Sequence, residues 1–355
     1  MKVDVKSLLK TMKERKASDL HITANSPVHF RIDEKLCPVD KMILNRDEVR
    51  ESVYALLKPE QIKQFERDWE LDFSFEIHNL ARFRVNVFYQ REAVGCAIRL
   101  IPFEIMTFEQ CGLPLGVVTD LCAKPKGLVL VTGATGSGKS TTLASMINFI
   151  NERRECHIVT IEDPIEFVHK NKKSIVDQRE VYRDTRSFGA SLKHVLRQDP
   201  DVILIGEMRD LETIESALII AETGHLVFAT LHTSDAVQTI NRVIDVFPSH
   251  QQQQIRTQLS FVLLAVLSQQ LIPKTGHSGR ALGTEVLTAT PAARSLIREG
   301  KIHQMYSIIQ TSQKSGMKTM NQSLAELCNR GVVSLESCLC KTTNPDEFEK
   351  LIKAR

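Results

Sequence analysis

The sequence predicts an α/β protein whose mostly parallel sheet follows a smaller α+β domain. From residue 127 onward, apolar segments alternate with segments of helical periodicity; the apolar segments are GLVLVTG, HIVTI, DVILIG and HLVFATL. Alternation of this kind indicates parallel strands joined by crossover helices, which cover both faces of the sheet. At 355 residues and 40.1 kDa the chain is too long for one comfortable core, so we expect two domains.

The first domain is predicted over residues 1–101. The segments VDVKSLLKTMKERK and NRDEVRESVYALL have apolar residues at helical spacing, whereas ELDFSFEI, RFRVNVFY and VGCAIRLI alternate as half-buried strands do. Six Pro and Gly residues then fall between positions 102 and 127, which predicts a linker over 102–126 with one short helix in it. The second domain is predicted over 127–355.

The second domain is expected to end in helices. The apolar run LSFVLLAVLS at 259–268 is much shorter than the ~20 residues of a membrane-spanning helix, so it predicts a buried helix and no transmembrane segment. The tail from residue 291 has helical periodicity. The first residues of the chain have no continuous apolar core, so we expect no secretory signal of the usual kind and a cytosolic protein.

Charge and cysteine content exclude some functional classes. The chain has 46 Lys and Arg against 43 Asp and Glu, a formal net charge of +3, which does not by itself indicate a nucleic-acid partner. Of eight scattered cysteines only Cys338 and Cys340 lie close together, without the second pair that a four-ligand zinc site needs. We expect reduced, structural thiols.

A phosphate-binding loop is predicted between the first apolar strand of the second domain and the helix that follows it. The stretch from Gly133 to Ser140 matches G-x-x-x-x-G-K-S in the strand-to-helix context that this motif requires. Its glycines allow backbone N–H groups to surround phosphate oxygens, and the helix adds its positive dipole end. Lys139 would reach the β- and γ-phosphates and Ser140 would bind Mg²⁺. The residues expected to contact nucleotide here are Gly133, Ala134, Thr135, Gly136, Ser137, Gly138, Lys139, Ser140 and Thr141.

Acidic residues follow two further strands. Glu207 ends the strand of PDVILIGE at the carboxyl edge of the sheet, where it could hold the metal; a surface Glu at a strand end is the alternative. The segment TIEDPIE places Glu162, Asp163 and Glu166 after another strand, and each is a candidate for positioning an attacking water. A solvated acidic loop would have the same sequence, so the residues alone leave both interpretations open.

Histidines and arginines complete the set of candidates. His225 and His232 bracket the strand HLVFATL, and His232, at its carboxyl end, is the better placed to sense a γ-phosphate. In the first domain Arg82 and Arg84 share one strand face. They form either a solvated basic face or arginine fingers that approach the nucleotide from outside the P-loop domain. The sequence alone does not choose.

Six segments together resemble the secretion and pilus ATPases, and among them the type IV pilus retraction ATPases; they are ARFRVN, GLVLVTGATGSGKSTTLA, IVTIEDPIEFVH, DPDVILIGEMRDLETIESAL, AETGHLVFATLHTSDA and GMKTMNQSLAEL. The resemblance covers nearly the whole chain. It implies a PAS-like N-terminal domain, a RecA-like core, ATP and Mg²⁺ as ligands, and a hexameric ring. It also implies roles for individual residues, namely Glu166 as catalytic glutamate, Glu207 as the acid of the Walker B strand, His225 and His232 as a paired histidine box, and Arg82 and Arg84 as nucleotide-facing arginines.

The resemblance also implies partners and a subtype. Such ATPases act at the cytoplasmic side of the inner membrane, on the platform protein of the pilus machine. Extension ATPases of the superfamily generally carry an extra N-terminal region and a four-cysteine motif after the histidine box, whereas here no cysteine lies between Cys156 and Cys328, which favours retraction. The segment AARSLIRE departs from the retraction motif AIRNLIRE at Ala293 and Ser295. An accessory retraction ATPase and an extension or secretion ATPase remain alternatives.

A nucleic-acid translocase is a rival from another functional class, because such proteins share the P-loop and the ring. It would need a basic channel with aromatic stacking platforms. With 6% aromatic residues and one Trp, the sequence shows no obvious platform of this kind, so we expect no nucleic-acid partner.

Overall fold

The computed structural model describes residues 4–32, 35–78, 80–101, 104–276 and 279–353. Contacts between Cα atoms divide the chain into two compact units, residues 1–104 and 105–355. No helix in the described ranges is both long and apolar enough to cross a membrane.

The first unit is a six-stranded antiparallel sheet with three helices. The strand order is β3-β2-β1-β6-β5-β4. Alternate residues of β5 face the core, so Phe83 and Val85 are fully buried while Arg82 and Arg84 lie on the opposite face. The elements are α1 (Val5–Glu14), β1 (Asp19–Ile22), β2 (His29–Ile32), β3 (Lys35–Pro38), α2 (Arg46–Tyr54), α3 (Pro59–Asp68), β4 (Glu70–Ile77), β5 (Ala81–Gln90) and β6 (Ala93–Ile101).

The second unit is a seven-stranded sheet with helices on both faces. Its elements are α4 (Phe108–Cys111), α5 (Leu115–Ala123), β7 (Gly127–Thr132), α6 (Lys139–Arg153), β8 (His157–Glu162), β9 (Ile175–Glu180), α7 (Phe188–Val195), β10 (Val202–Ile205), α8 (Leu211–Glu222), β11 (Leu226–Leu231), α9 (Ala236–Asp245), α10 (Ser249–Val262), β12 (Leu263–Pro273), β13 (Arg280–Thr288), α11 (Pro291–Arg298), α12 (Met305–Thr311), α13 (Met320–Asn329), α14 (Leu335–Leu339) and α15 (Pro345–Lys353).

The strand order of this sheet is β13-β12-β7-β11-β10-β8-β9, and every neighbouring pair except β12 with β13 is parallel. Alternate residues of the central strands enter two separate cores, as Leu128 and Leu130 do on one face and Val129 and Val131 on the other. Burial on both faces explains why these strands appear in the sequence as continuous apolar runs.

The apolar run at 259–268 is not a single helix, which corrects the sequence-based expectation. Helix α10 ends at Val262, and β12 begins at Leu263 and pairs with β7 in the centre of the sheet. Both a buried helix and a strand covered on both faces lack polar positions, so periodicity does not separate them. The antiparallel hairpin β12–β13 therefore had no distinct signal in the sequence.

The segment 102–126, expected to be a linker, contributes to the second unit from residue 105 onward. It forms two helices, α4 and α5, rather than one. Phe108, Val118 and Leu121 from these helices are buried in the core on the α6 side of the sheet. Its glycines and prolines mark the ends of these helices, because Gly112 takes the left-handed conformation after α4 and Pro114 precedes α5.

Side chains occupy outward backbone donors at both ends of β9, the outer edge strand of the sheet. The N–H of Ile175 donates to Cys156 across to β8, so the N–H of Val176 points away from the sheet. That outward N–H donates to Asn171 Oδ1 at 3.0 Å, and the N–H of Glu180 donates to Asp184 Oδ2 at 2.9 Å. Both outward donors at the ends of β9 therefore already have acceptors.

Two glycines in the C-terminal helical region allow the cost of a positive φ to be separated from the cost of a steric clash. Gly316 and Gly331 have nearly the same positive φ, 76° and 70°. A Cβ on Gly316 would lie 2.5 Å from Val117 Cγ2, whereas a Cβ on Gly331 would meet nothing within 4 Å. We expect Gly331→Ala to lower the free energy of unfolding by about 1–2 kcal/mol, the usual cost of a left-handed residue, and Gly316→Ala to lower it further, as measured by denaturant unfolding. Equal losses in the two variants would contradict the packing argument.

Candidate nucleotide site

The predicted site residues follow strands that end at one edge of the second sheet. Strands β7, β11, β10 and β8 are parallel, so the segments after them meet at the carboxyl edge, the usual ligand site of such sheets. Lys139, His232, Glu207 and Glu166 belong to these four segments, in that order of strands. The topology therefore brings together residues that are up to 93 positions apart in the chain (232 minus 139).

The phosphate-binding loop has the backbone conformation that its glycines predict. Gly133, Gly136 and Gly138 have φ values of 139°, 78° and 92°, which side chains disfavour. A Cβ on Gly133 would lie 2.4 Å from the Gln269 carbonyl oxygen, whereas one on Gly136 would meet nothing within 4 Å. The first glycine thus packs the loop against β12, and the second faces open space on the loop's outer side.

Lys139 begins α6 and turns its side chain back over the loop. Its Nζ donates to the carbonyl oxygens of Gly133 at 2.8 Å and Ala134 at 3.0 Å, and the residue is only 8% exposed. Burial lowers the pKa of this amine, and the charges of Glu166 and Glu207 act against that effect. The two carboxylates that were predicted separately are therefore close enough to act electrostatically on the same ammonium group.

The chemistry of the loop fits a phosphate group. The N-cap residue of α6 is Gly138, which offers no side-chain acceptor to the first N–H groups of the helix. Ser137 Oγ is buried and has no hydrogen-bond partner among the described residues. Unpaired donors at a helix N-terminus beside a buried ammonium are the recognised setting for an anion.

Magnesium would find hard oxygen donors at the same place. Ser140 lies in the first turn of α6, and Glu207 lies in the segment that follows β10. Hydroxyl and carboxylate oxygens are ligands that Mg²⁺ accepts beside phosphate oxygens. Within the described ranges, no group of three or more His, Cys, Asp or Glu side chains is arranged to hold a metal ion.

Glu207 is fixed by the segment that follows β10. Gly206 donates its N–H to Ile161 at 2.8 Å and accepts a hydrogen bond from Thr230 Oγ1, which joins the segment to both neighbouring strands. Glu207 Oε1 then accepts from Arg209 Nε at 2.8 Å, and its Oε2 lies 3.6 Å from His232 Nε2. His232 is thus placed beside the predicted metal ligand, at the site end of β11.

Arg209 is a site residue that the sequence analysis missed. It lies two positions after Glu207, inside the segment DPDVILIGEMRDLETIESAL that carries part of the resemblance. Its signal was the spacing, because an arginine two residues beyond a strand-ending carboxylate can reach back to it across the turn. The carboxylate of Glu207 is therefore paired with the guanidinium of Arg209.

The acidic segment separates into residues with different environments. Glu162 ends β8, where its Oε1 accepts from Thr160 Oγ1 at 2.6 Å and Gln178 Nε2 at 3.3 Å, and burial raises the pKa of its carboxyl group to about 7. Asp163 and Glu166 are exposed. Of the three acids, Glu166 is the one whose charge acts on Lys139. The structure therefore favours Glu166 over Glu162 as the residue that can work on a water molecule.

His225 lies at the opposite end of β11 from His232, and its expected contact with nucleotide stays a prediction. It precedes β11, and its carbonyl accepts the N–H of Gly127, the first residue of β7, at 3.0 Å. Its Nδ1 lies 3.1 Å from the Ile220 carbonyl oxygen. A six-residue strand spans about 20 Å, so the histidine box is split between opposite edges of the sheet.

Arg82 and Arg84 belong to the first unit, and the structure describes their surroundings there. Arg82 Nη2 donates to Ser74 Oγ at 2.7 Å across the β4–β5 pair. Arg84 is exposed and pairs in register with Arg99 of β6. Their role toward the nucleotide stays a prediction.

Comparison with known proteins identifies the family. A family model described as type II/IV secretion system protein matches residues 1–340. The chain belongs to this family. Members of the type II/IV secretion system family with curated descriptions include the type IV pilus retraction ATPase PilT of Pseudomonas aeruginosa, which is 48% identical over 346 residues, 98% of this chain and 100% of PilT. The type IV pilus ATPase PilU of the same species is 40% identical over 351 residues, 99% of this chain and 92% of PilU.

A solved structure of the same family confirms the fold class. The crystal structure of the pilus retraction motor PilT with bound ADP matches with a TM-score of 0.92 at 47% identity, over 98% of this chain and 100% of that one. The predicted fold class, a RecA-like P-loop core with a smaller α+β, PAS-like N-terminal domain, is confirmed by this match, and so is the resemblance to the retraction ATPases.

The environment of Glu162 predicts a pH-dependent contribution to stability. Its folded-state pKa of about 7 lies above the ordinary 4.5, so the folded state binds the extra proton and this contribution is lost as pH rises from 4.5 to 7. We therefore expect the difference in free energy of unfolding, Glu162→Gln minus wild type, to increase by on the order of 2–3 kcal/mol as pH rises across this range. Denaturant titrations at pH 5 and pH 8 measure the difference, and a constant offset would contradict the raised pKa.

Proposed function

We propose that this protein is an ATP-hydrolysing motor that drives the retraction of type IV pili. One observation carries the ATPase part: the buried ammonium of Lys139 lies on the phosphate-binding loop with Glu166 and Glu207 acting on it from two other strands. Retraction is supported by 48% identity across the full length of PilT, a type IV pilus retraction ATPase.

ATP binds on the N–H groups of the loop that contains residues 133–141, and Lys139 exchanges its two backbone acceptors for phosphate oxygens. PilT, with a TM-score of 0.92 to this chain, was crystallised with ADP, which supports this placement. Ser140 and Glu207 would hold Mg²⁺, which would neutralise charge on the phosphates. Arg209 pairs with one Glu207 oxygen, so that oxygen would have to leave Arg209 before it could hold a metal ion.

Hydrolysis depends on positioning a water molecule and neutralising charge. Glu166 orients the water, since it is exposed and faces the same ammonium group that binds the γ-phosphate. His232, 3.6 Å from Glu207, senses the γ-phosphate. Arg82 and Arg84, to which the resemblance gives a nucleotide-facing role, supply further positive charge.

The motor works as a homo-hexameric ring. It acts at the cytoplasmic side of the inner membrane, peripherally associated with the pilus machine through its platform protein. The family match and the two pilus ATPases among the relatives support this setting. The alternative of an accessory retraction ATPase is the nearest rival. The higher identity to PilT, 48% against 40% for PilU, favours the primary role.

Two substitutions test the site. We expect Glu166→Gln to retain ATP binding and to lose turnover by about 10²-fold or more, because the loop is intact and only the group that orients water has changed. Lys139→Ala should lose both, since the charge that binds the phosphates is gone. Phosphate release and binding of a fluorescent ATP analogue measure the two effects. Normal turnover in Glu166→Gln would remove its catalytic role, and normal turnover in Lys139→Ala would refute the site itself.

Deletion of the gene in its own cells tests the direction of the motor. We expect more surface pili and lost twitching motility, because subunits continue to be added while none is withdrawn. A plasmid copy of the wild type should restore motility, and the Lys139→Ala copy should not. Bald cells would indicate an extension ATPase. Pili in normal number with normal motility would contradict any primary role in retraction.

A further inference from the structure

A buried carboxylate outside the predicted site stands in line with the phosphate-binding loop. Glu285 of β13 is 4% exposed and pairs in register with Ser268 of β12, which in turn pairs with Thr132 at the end of β7. Thr132 Oγ1 donates to Ser268 Oγ at 2.9 Å, so these side chains share one face of the sheet. Glu285 is therefore two strands away from the residue that precedes Gly133.

Two helices begin at this carboxylate. The N–H of Ala236, the first residue of α9, donates to Glu285 Oε1 at 2.9 Å. The backbone N–H of Met320, the first residue of α13, lies close enough to the same side chain to lower the pKa of its carboxyl group. The first N–H groups of a helix have no partner within the helix, and a buried one needs an acceptor. A carboxylate between two helix N-termini also gains from both dipoles.

The first of these helices follows directly on the segment that carries His232. Only Thr233, Ser234 and Asp235 separate His232 from Ala236. Asp235 caps α9 by accepting from Gln238 at 2.8 Å, and Thr233 Oγ1 lies 2.7 Å from Thr239 Oγ1. With the start of α9 held at Glu285, the segment has little freedom to move His232 away from Glu207.

The second helix belongs to the C-terminal layer of the unit. Leu324 of α13 and Phe348 of α15 are fully buried in a small core against Ile272 of β12. The start of α13 is itself buried, with Thr319 as its N-cap. One side chain thus joins the His232 segment to the C-terminal helices.

We propose that Glu285 is a positioning residue for the nucleotide site. Glu285 holds the segment that carries His232 through Ala236 and connects that segment to helix α13 through Met320. This inference rests on the proposed ATPase function. In this role Glu285 acts by fixing the position of His232 and not by binding nucleotide or metal itself.

The charge of Glu285 gives this role a pH dependence. The pKa of its carboxyl group is raised to about 7. Burial is the main cause and the charges of Asp235 on the α9 side and Glu347 on the α15 side add to it, while the backbone N–H groups of Ala236 and Met320 act in the opposite direction. Glu347 itself accepts from Tyr306, Gln310 and Asn321. Above pH 7 the ionised group accepts strongly from both helices; below pH 7 its proton weakens that hold.

Replacing Glu285 by Gln tests the proposal. The amide is neutral at every pH and offers one acceptor oxygen, so the variant resembles the protonated wild type. We expect kcat to be about five-fold below wild type at pH 8 and within two-fold at pH 6, with the KM for ATP unchanged because the loop is intact. Taking the ratio of variant to wild type removes titrations that both share. Glu326→Gln, an exposed glutamate that pairs with Lys318 at 2.6 Å, is the matched control and should match wild type at both pH values.

A second variant removes a donor instead of the acceptor. Ala236→Pro deletes the N–H at the first position of α9, where proline suits the helix; it should lower kcat at pH 8 as Glu285→Gln does, and the two changes combined should cost no more than either alone. A ratio that is the same at pH 6 and pH 8, or a fall in ATP binding equal to the fall in kcat, would overturn the positioning role. Absence of turnover in the wild type would instead refute the proposed function and leave the Glu285 contacts as described.

Discussion

The ammonium of Lys139, buried against two carbonyl oxygens of its own loop, is the constraint from which the rest of the site follows. A buried positive charge is costly unless other groups compensate it. Here the compensation comes from the loop carbonyls at contact distance and from Glu166 and Glu207 farther away. The two carbonyl groups follow β7, Glu207 follows β10 and Glu166 follows β8. Because these strands are parallel, all of these groups lie at the same edge of the sheet and act on the same lysine.

The sequence predicted this edge well because its signals are local. The loop from Gly133 to Ser140 is one contiguous motif, and the central strands are unbroken apolar runs bounded by polar residues. Long-range facts were harder to predict. Whether the run at 259–268 is a helix or a strand depends on its pairing with β7, and whether 105–126 is a linker depends on Phe108 and Val118 finding a core. No property of either segment alone contains that information.

The acids and histidines show the same limit at finer scale. Without the resemblance, the residue types of Glu162, Asp163 and Glu166 do not rank the three acids. In the structure Glu162 Oε1 is occupied by Thr160 and Gln178, whereas Glu166 is exposed. His225 and His232 look like a pair because they flank one strand. Since a strand carries its two ends far apart, His232 lies beside Glu207 whereas His225 lies at the other edge of the sheet.

The occupied donors at the two ends of β9 affect how copies of this chain can associate. Neighbouring molecules often join by extending each other's sheets, which requires a row of vacant backbone donors. At β9 the donors of Val176 and Glu180 are already taken by Asn171 and Asp184. A neighbouring copy that extended the sheet at β9 would therefore have to displace Asn171 and Asp184, so we expect copies to meet this edge through side chains rather than through a continuous β-ladder.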